Sequence, residues 1–70
     1  SQVVGDLGCG TGALSEVMAP FAAQVIAVDE SAAMLKAART RLAPFTNVDV
    51  RRGTLEALPI DDGTLHVAVM

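Results

Sequence analysis

The chain has 70 residues, of which 51% are apolar, 19% charged and 3% aromatic, with a formal net charge of −3. A chain this short buries only about 60% of the surface it exposes when unfolded, so a core built from it alone is marginal; its composition is that of a globular α/β protein, not a disordered or fibrous one. The acidic balance leaves no electrostatic footprint for nucleic acid, no apolar run nears the ~20 residues that cross a bilayer, and the single Cys9 has no internal disulfide partner, which fits a reducing cytoplasm.

Val3 to Leu7 is short, apolar and bounded by glycine, and reads as a buried strand. From Gly12 the period changes: Leu14, Val17, Met18 and Phe21 fall on one face of a helix, which we expect to face the core, with Pro20 loosening its last turn. Val25 to Val28 is the second strand. Asp29 and Glu30 follow, and Ser31 is the N-cap of a helix running to about Leu42, with Met34, Leu35, Ala38 and Leu42 as its buried stripe and Pro44 closing it. Asn47 opens a third strand through about Arg52, Thr54 to Leu58 forms a single helical turn before Pro59, and Asp61-Asp62-Gly63 is a turn. Leu65 to Met70 is the fourth strand. Arg39, Arg41, Arg51 and Arg52 are scattered and read as solvated surface, not as a basic patch.

This alternation means parallel βαβ units, so the expected fold is α/β and Rossmann-like: the first half of a doubly wound, mostly parallel sheet in the order β-α-β-α-β-turn-β. The chain opens on Ser1 at the edge of a strand and stops at Met70 inside an apolar run. We therefore expect residues 1–70 to be the N-terminal part of a larger domain.

The chemistry concentrates in Asp6-Leu7-Gly8-Cys9-Gly10-Thr11-Gly12, at the end of the first strand. A strand running through a glycine turn into a helix presents backbone N–H groups and a helix N-terminus to a nucleotide-like ligand. Asp29 ends the second strand 17 residues after Gly12, where a carboxylate can accept from a ribose diol. Taken alone, the loop also fits a tight turn with no ligand. Gly8-x-Gly10-x-x-Ala13 formally satisfies the dinucleotide fingerprint as well, which keeps an NAD(P)-dependent oxidoreductase in play. Two details weigh against a pyrophosphate. Asp6 would repel it, by about 1 kcal/mol at ~4 Å in water and more where partly buried, and neither loop nor first helix carries a Lys or Arg. An ammonium or sulfonium group would be attracted.

The loop, Val28-Asp29 and the segment Gly53-Thr54-Leu55-Glu56-Ala57-Leu58-Pro59 together resemble the class I S-adenosylmethionine-dependent methyltransferases, in order and across nearly the whole chain. The third segment is most similar to the small-molecule and quinone-type branch. Arg51-Arg52-Gly53 and Leu55 to Pro59 are also similar to the domain fused behind winged-helix regulators of the arsenic-resistance type, which opens the alternative of a non-catalytic, S-adenosylmethionine-binding regulatory domain. The resemblance implies S-adenosyl-L-methionine as cofactor and methyl transfer to an O, N, C or S nucleophile of a small-molecule acceptor. It also implies roles. Gly8, Cys9, Gly10 and Gly12 line the methionine moiety with backbone, and Asp6 supports the loop and reaches the ligand's amino group. Asp29 takes the ribose hydroxyls, Glu30 and Met34 flank the adenine, and Thr54 and Leu55 sit at its edge. The family often has Asp where Thr54 stands, and Asp where His66 stands.

No catalytic residue is assigned. Cys9 reads as a small loop residue, although a helix N-terminus could lower a thiol pKa. His66 reads as structural or partly exposed, with no metal-ligand spacing around it, and Asp61-Asp62 reads as a solvated turn.

Overall fold

A computed structural model describes residues 2–54, 56, 57, 60, 63 and 65–69. The expected turn at Asp61-Asp62, and Leu55, Leu58 and Met70, lie outside the described residues. The elements in chain order are β1 (Val3–Leu7), α1 (Ala13–Met18), a 3₁₀ turn (Ala19–Phe21), β2 (Gln24–Asp29), α2 (Ala32–Leu42), β3 (Val48–Arg52) and β4 (Val67–Val69). All strand pairs are parallel, in the order β3-β2-β1-β4. The strand order therefore reverses between β1 and β4, as the alternating pattern predicts. The ends of β1 and β2 carrying the glycine loop and Asp29 lie on the carboxyl edge of the sheet, where open α/β sheets bind ligands.

β2 is the middle of the core: Val25, Ile26 and Ala27 are fully buried and Val28 nearly so. A strand shielded on both faces reads as an unbroken apolar run, not as an alternation. On one face Ala27 packs with Cys9, Leu35, Ala38 and Leu42, joined by Phe45, Val48 and Val50; on the other Ile26 and Val28 pack with Leu7, Val3, Ile60 and Leu65. Each fully buried Ile or Leu contributes about 1.5–3 kcal/mol, so Ile26 and Leu35 are principal members of this core.

α2 begins where expected, the Ser31 hydroxyl accepting from the Met34 N–H at 3.3 Å. Leu35, Ala38 and Leu42 form its buried stripe, but Met34 is 45% exposed and does not belong to it. A larger correction concerns α1. The residues packed inward are Ser15 and Ala19, whereas Leu14, Val17 and Phe21 are exposed, Phe21 by 86%. Small side chains let the short helix lie close to the sheet, and a bond from Ser15 to β1 fixes its rotation, turning the apolar stripe outward. Pro20 ends the α-helix by shifting it to the 3₁₀ turn. Asn47 then ties that turn down, its Nδ2 donating to the carbonyls of Ala19 at 2.7 Å and Ala22 at 3.1 Å.

β4 starts at Val67, later than expected; just before it the His66 N–H donates to the Val3 carbonyl, and the Val3 N–H donates to His66 Nδ1, both at 2.9 Å. After β3, Ala57 N–H donates to the Thr54 carbonyl and hydroxyl at 3.2 and 3.1 Å. Of the single helical turn expected over Thr54 to Leu58, Leu55 and Leu58 lie outside the described residues. Two arginines are held in ion pairs, Arg41 with Glu16 at 3.5 Å and Arg51 with Asp49 at 2.7 Å.

Candidate functional site

The glycine loop is fixed by its own backbone. The N–H groups of Gly8 and Cys9 both donate to the Val28 carbonyl, at 2.8 and 2.9 Å, and Gly12 N–H donates to the Cys9 carbonyl at 3.0 Å. Gly10 N–H donates to Asp29 Oδ2 at 2.8 Å. These four donors are engaged within the protein, which corrects the expectation that the glycine turn presents its backbone N–H groups to a nucleotide-like ligand. The loop presents glycine surface instead. Gly10 has φ +57°, and a Cβ built there meets no protein atom within 4 Å, so this side of the loop is open. Gly12 is different: at φ +85° it is the N-cap of α1, and a Cβ would lie 2.8 Å from Leu42 Cδ1. Gly12 is thus required by the packing of the loop on α2.

Two carboxylates flank the loop. Asp29 accepts from Gly10 N–H through Oδ2 and from Ser31 N–H through Oδ1 at 2.9 Å. The Ser31 and Gly10 amides hold this carboxyl below its usual pKa. Asp6 is 4% exposed and accepts from the fully buried Ser15 hydroxyl at 2.7 Å. Cys9 is buried against α2. Burial, with the charges of Asp6 and Asp29, pushes its thiol up to about 11, opposite in direction to the lowering that a helix N-terminus can produce. Cys9 is therefore a neutral thiol near pH 7, held so chiefly by its burial.

Alongside lies a groove of about 240 Å³ lined by Gly8, Val28, Glu30, Gly53, Thr54 and Glu56. Gly53 N–H donates to the Asp29 carbonyl at 3.1 Å and Arg52 Nε to the Glu30 carbonyl at 3.2 Å, which ties the ends of β2 and β3 together. The structure thus brings Gly8, Glu30 and Thr54 to one groove and bonds Gly10 to Asp29. Asp6 is buried against Ser15, and Cys9 and Gly12 pack against Ala38 and Leu42 of α2. Met34 is exposed on the first turn of α2 and is not among the described residues lining the groove. Leu55 lies outside the described residues. Sequence reasoning missed Glu56 and Ser15. Glu56 carries no periodic signal; Ser15 has one, a lone hydroxyl inside the first turn of a helix otherwise rich in apolar residues. No group of three or more His, Cys, Asp or Glu side chains suited to a metal occurs among the described residues, and no described helix is long and apolar enough to cross a membrane.

A family model described as a methyltransferase domain matches residues 4–70. The chain is 48% identical over 54 residues to a ubiquinone biosynthesis O-methyltransferase of Azotobacter vinelandii, covering 76% of this chain and 23% of that protein. Among solved structures it is similar to the YcgJ protein of Bacillus subtilis, with TM-score 0.91 and 27% identity over 97% of this chain and 30% of that one. It is likewise similar to an S-adenosylmethionine-dependent methyltransferase of Mesorhizobium loti, with TM-score 0.86 and 29% identity over 97% of this chain and 32% of that one. The chain spans about a fifth to a quarter of the length of the curated relatives it matches. With its parallel sheet, its glycine loop and the carboxylate closing β2, the chain belongs to the class I methyltransferase domain family.

Proposed function

We propose that residues 1–70 are the N-terminal, cofactor-binding half of a methyltransferase domain that takes S-adenosyl-L-methionine and passes its methyl group to a small-molecule acceptor. The observation that carries this reading is the electrostatics of the loop. Its N–H donors at Gly8, Cys9, Gly10 and Gly12 are spent internally while the carboxylates of Asp6 and Asp29 stand beside it. A carboxylate ending the second strand suits a ribose in either ligand, so Asp6 makes the distinction: it repels a pyrophosphate and favours a ligand carrying ammonium and sulfonium charge, which separates this reading from a nicotinamide oxidoreductase. The Mesorhizobium loti relative, described as S-adenosylmethionine-dependent, supports the same cofactor.

In this reading the open side of Gly10, with Gly8, Cys9 and Gly12, packs along the methionine moiety. Asp6 receives the ammonium group. Asp29 keeps its two backbone bonds and accepts from the ribose hydroxyls with its remaining lone pairs. Glu30 and Met34 flank the adenine, and Thr54 with Leu55 meets its edge, where the Thr54 hydroxyl accepts without charge assistance.

The acceptor's lone pair attacks the methyl carbon as the C–S bond breaks; the electron pair stays on sulfur and the acceptor loses a proton. Alignment carries much of such a displacement, so the described residues need supply no acid or base. The O-methyltransferase relatives make a phenolic or quinol-type oxygen the first acceptor to try. The test is transfer of radiolabelled methyl from S-adenosylmethionine by the intact protein to a panel of small phenols, amines and thiols. Acceptor-dependent label transfer supports the proposal. Tight cofactor binding with no transfer to any acceptor would favour the non-catalytic regulatory alternative.

A further inference from the structure

Asp6 and Ser15 form the one buried side-chain hydrogen-bonded pair among the described residues, 4% and 0% exposed, and the proposed chemistry uses only Asp6. Ser15 stands on the first turn of α1 and Asp6 near the end of β1, so their 2.7 Å bond closes the glycine loop into a ring. A helical serine commonly turns its hydroxyl back to the carbonyl four residues earlier. Here Ser15 donates to the carboxylate instead, and it takes only Oδ2. No other described residue donates to Asp6. No buried side-chain oxygen among the described residues lacks a partner, so Oδ1 keeps an opening to the surface. The carboxylate is held by one oxygen and presents the other.

We infer that Ser15 is a positioning residue for the ligand's ammonium group, acting through Asp6. A carboxyl group turns freely about its Cβ–Cγ bond unless one oxygen is fixed. Ser15 fixes Oδ2 and thereby aims Oδ1. This rests on the reading of the site as one for S-adenosylmethionine, and the experiment keeps the two separable.

S-adenosylhomocysteine carries the amino-acid group, whereas 5′-methylthioadenosine shares the nucleoside but lacks that group. Calorimetric titration of the intact protein with both ligands is the measurement. Ser15→Ala should weaken S-adenosylhomocysteine binding about tenfold or more, the size of one charge-assisted hydrogen bond, and leave methylthioadenosine binding within about twofold. Ser15→Cys, near in size but a weak donor, should reproduce that selective loss if the alanine variant does not fold. Combined with Asp6→Asn, either Ser15 variant should add little further loss. Equal weakening of both ligands, or no change in either, would overturn the positioning role. Failure of the wild-type protein to bind either ligand would instead defeat the cofactor assignment beneath it.

Discussion

Removing the Asp29 carboxylate should damage the protein in two separable ways. The structure gives the side chain two internal bonds, from Gly10 N–H at 2.8 Å and from Ser31 N–H at 2.9 Å. Hydrogen bonds to charged groups contribute about 1.5–3 kcal/mol each. Asp29 is only partly buried, so water replaces much of what is lost, and about 1 kcal/mol per bond is the more suitable scale. Asp29→Ala should therefore lower folding stability by about 2 kcal/mol, read as a shift in the urea midpoint at unchanged slope. The second effect is on the ligand: losing the acceptor for two ribose hydroxyls should weaken S-adenosylhomocysteine at least tenfold beyond any loss from unfolding. Asp29→Asn keeps one acceptor oxygen and should fall between wild type and alanine in both measurements. Titration calorimetry at a temperature where every variant is folded separates the two effects. If folded Asp29→Ala binds S-adenosylhomocysteine as tightly as wild type, the carboxylate has no part in the ribose site.

Gly10→Ala puts a side chain at φ +57° into open space, so it should cost about 1 kcal/mol in stability and proportionally more in cofactor affinity; an equal ligand-induced rise in melting temperature for variant and wild type would refute the close approach. Gly12→Ala meets Leu42 as well as φ +85° and should destabilise by about 2 kcal/mol or more, the larger folding defect of the two by denaturation. Cys9, with its thiol pushed up to about 11, should resist iodoacetamide in the native state at pH 7.5 and react on unfolding; rapid native alkylation would contradict its burial. Asp29 has a folded pKa below its unfolded value of ~3.9. Its contribution to stability is thus fully present above that value and is lost as pH falls through the lower folded value. Asp29→Asn should flatten that acid limb in a pH series of melts, and an unchanged limb would remove Asp29 as its source.

The strands and the second helix were legible because their signals are local. Val3 to Leu7 and Val25 to Val28 are apolar runs between turn residues, and Ser31 caps α2 as its residue type predicts. The strand order was legible too, since alternating strands and helices leave few alternatives for a parallel sheet. The facing of α1 was not. Periodicity marks which residues share a face, but not which face meets the sheet, and here the small pair Ser15 and Ala19 won over Leu14, Val17 and Phe21. At the site, the residue types at Asp6, Gly10 and Asp29 were readable from motif spacing. Their bonds were not: that the loop's N–H groups turn back to Val28 and Asp29 depends on the register between β1 and β2. Asn47, which ties the 3₁₀ turn to the start of β3 across 28 residues of chain, likewise has no local signature.

Flanked by Asp6 and Asp29, with the amides of Gly8, Cys9, Gly10 and Gly12 already bonded, this loop should accept a cationic adenosyl ligand and reject a pyrophosphate. Titration calorimetry of the intact protein with S-adenosylmethionine and with NAD, in the same low-salt buffer, tests it most directly. S-adenosylmethionine should bind saturably and at least a hundredfold tighter than NAD, which corresponds to about 2.8 kcal/mol at ~1.4 kcal/mol per decade. Binding of NAD as tight as S-adenosylmethionine, or tighter, would contradict it.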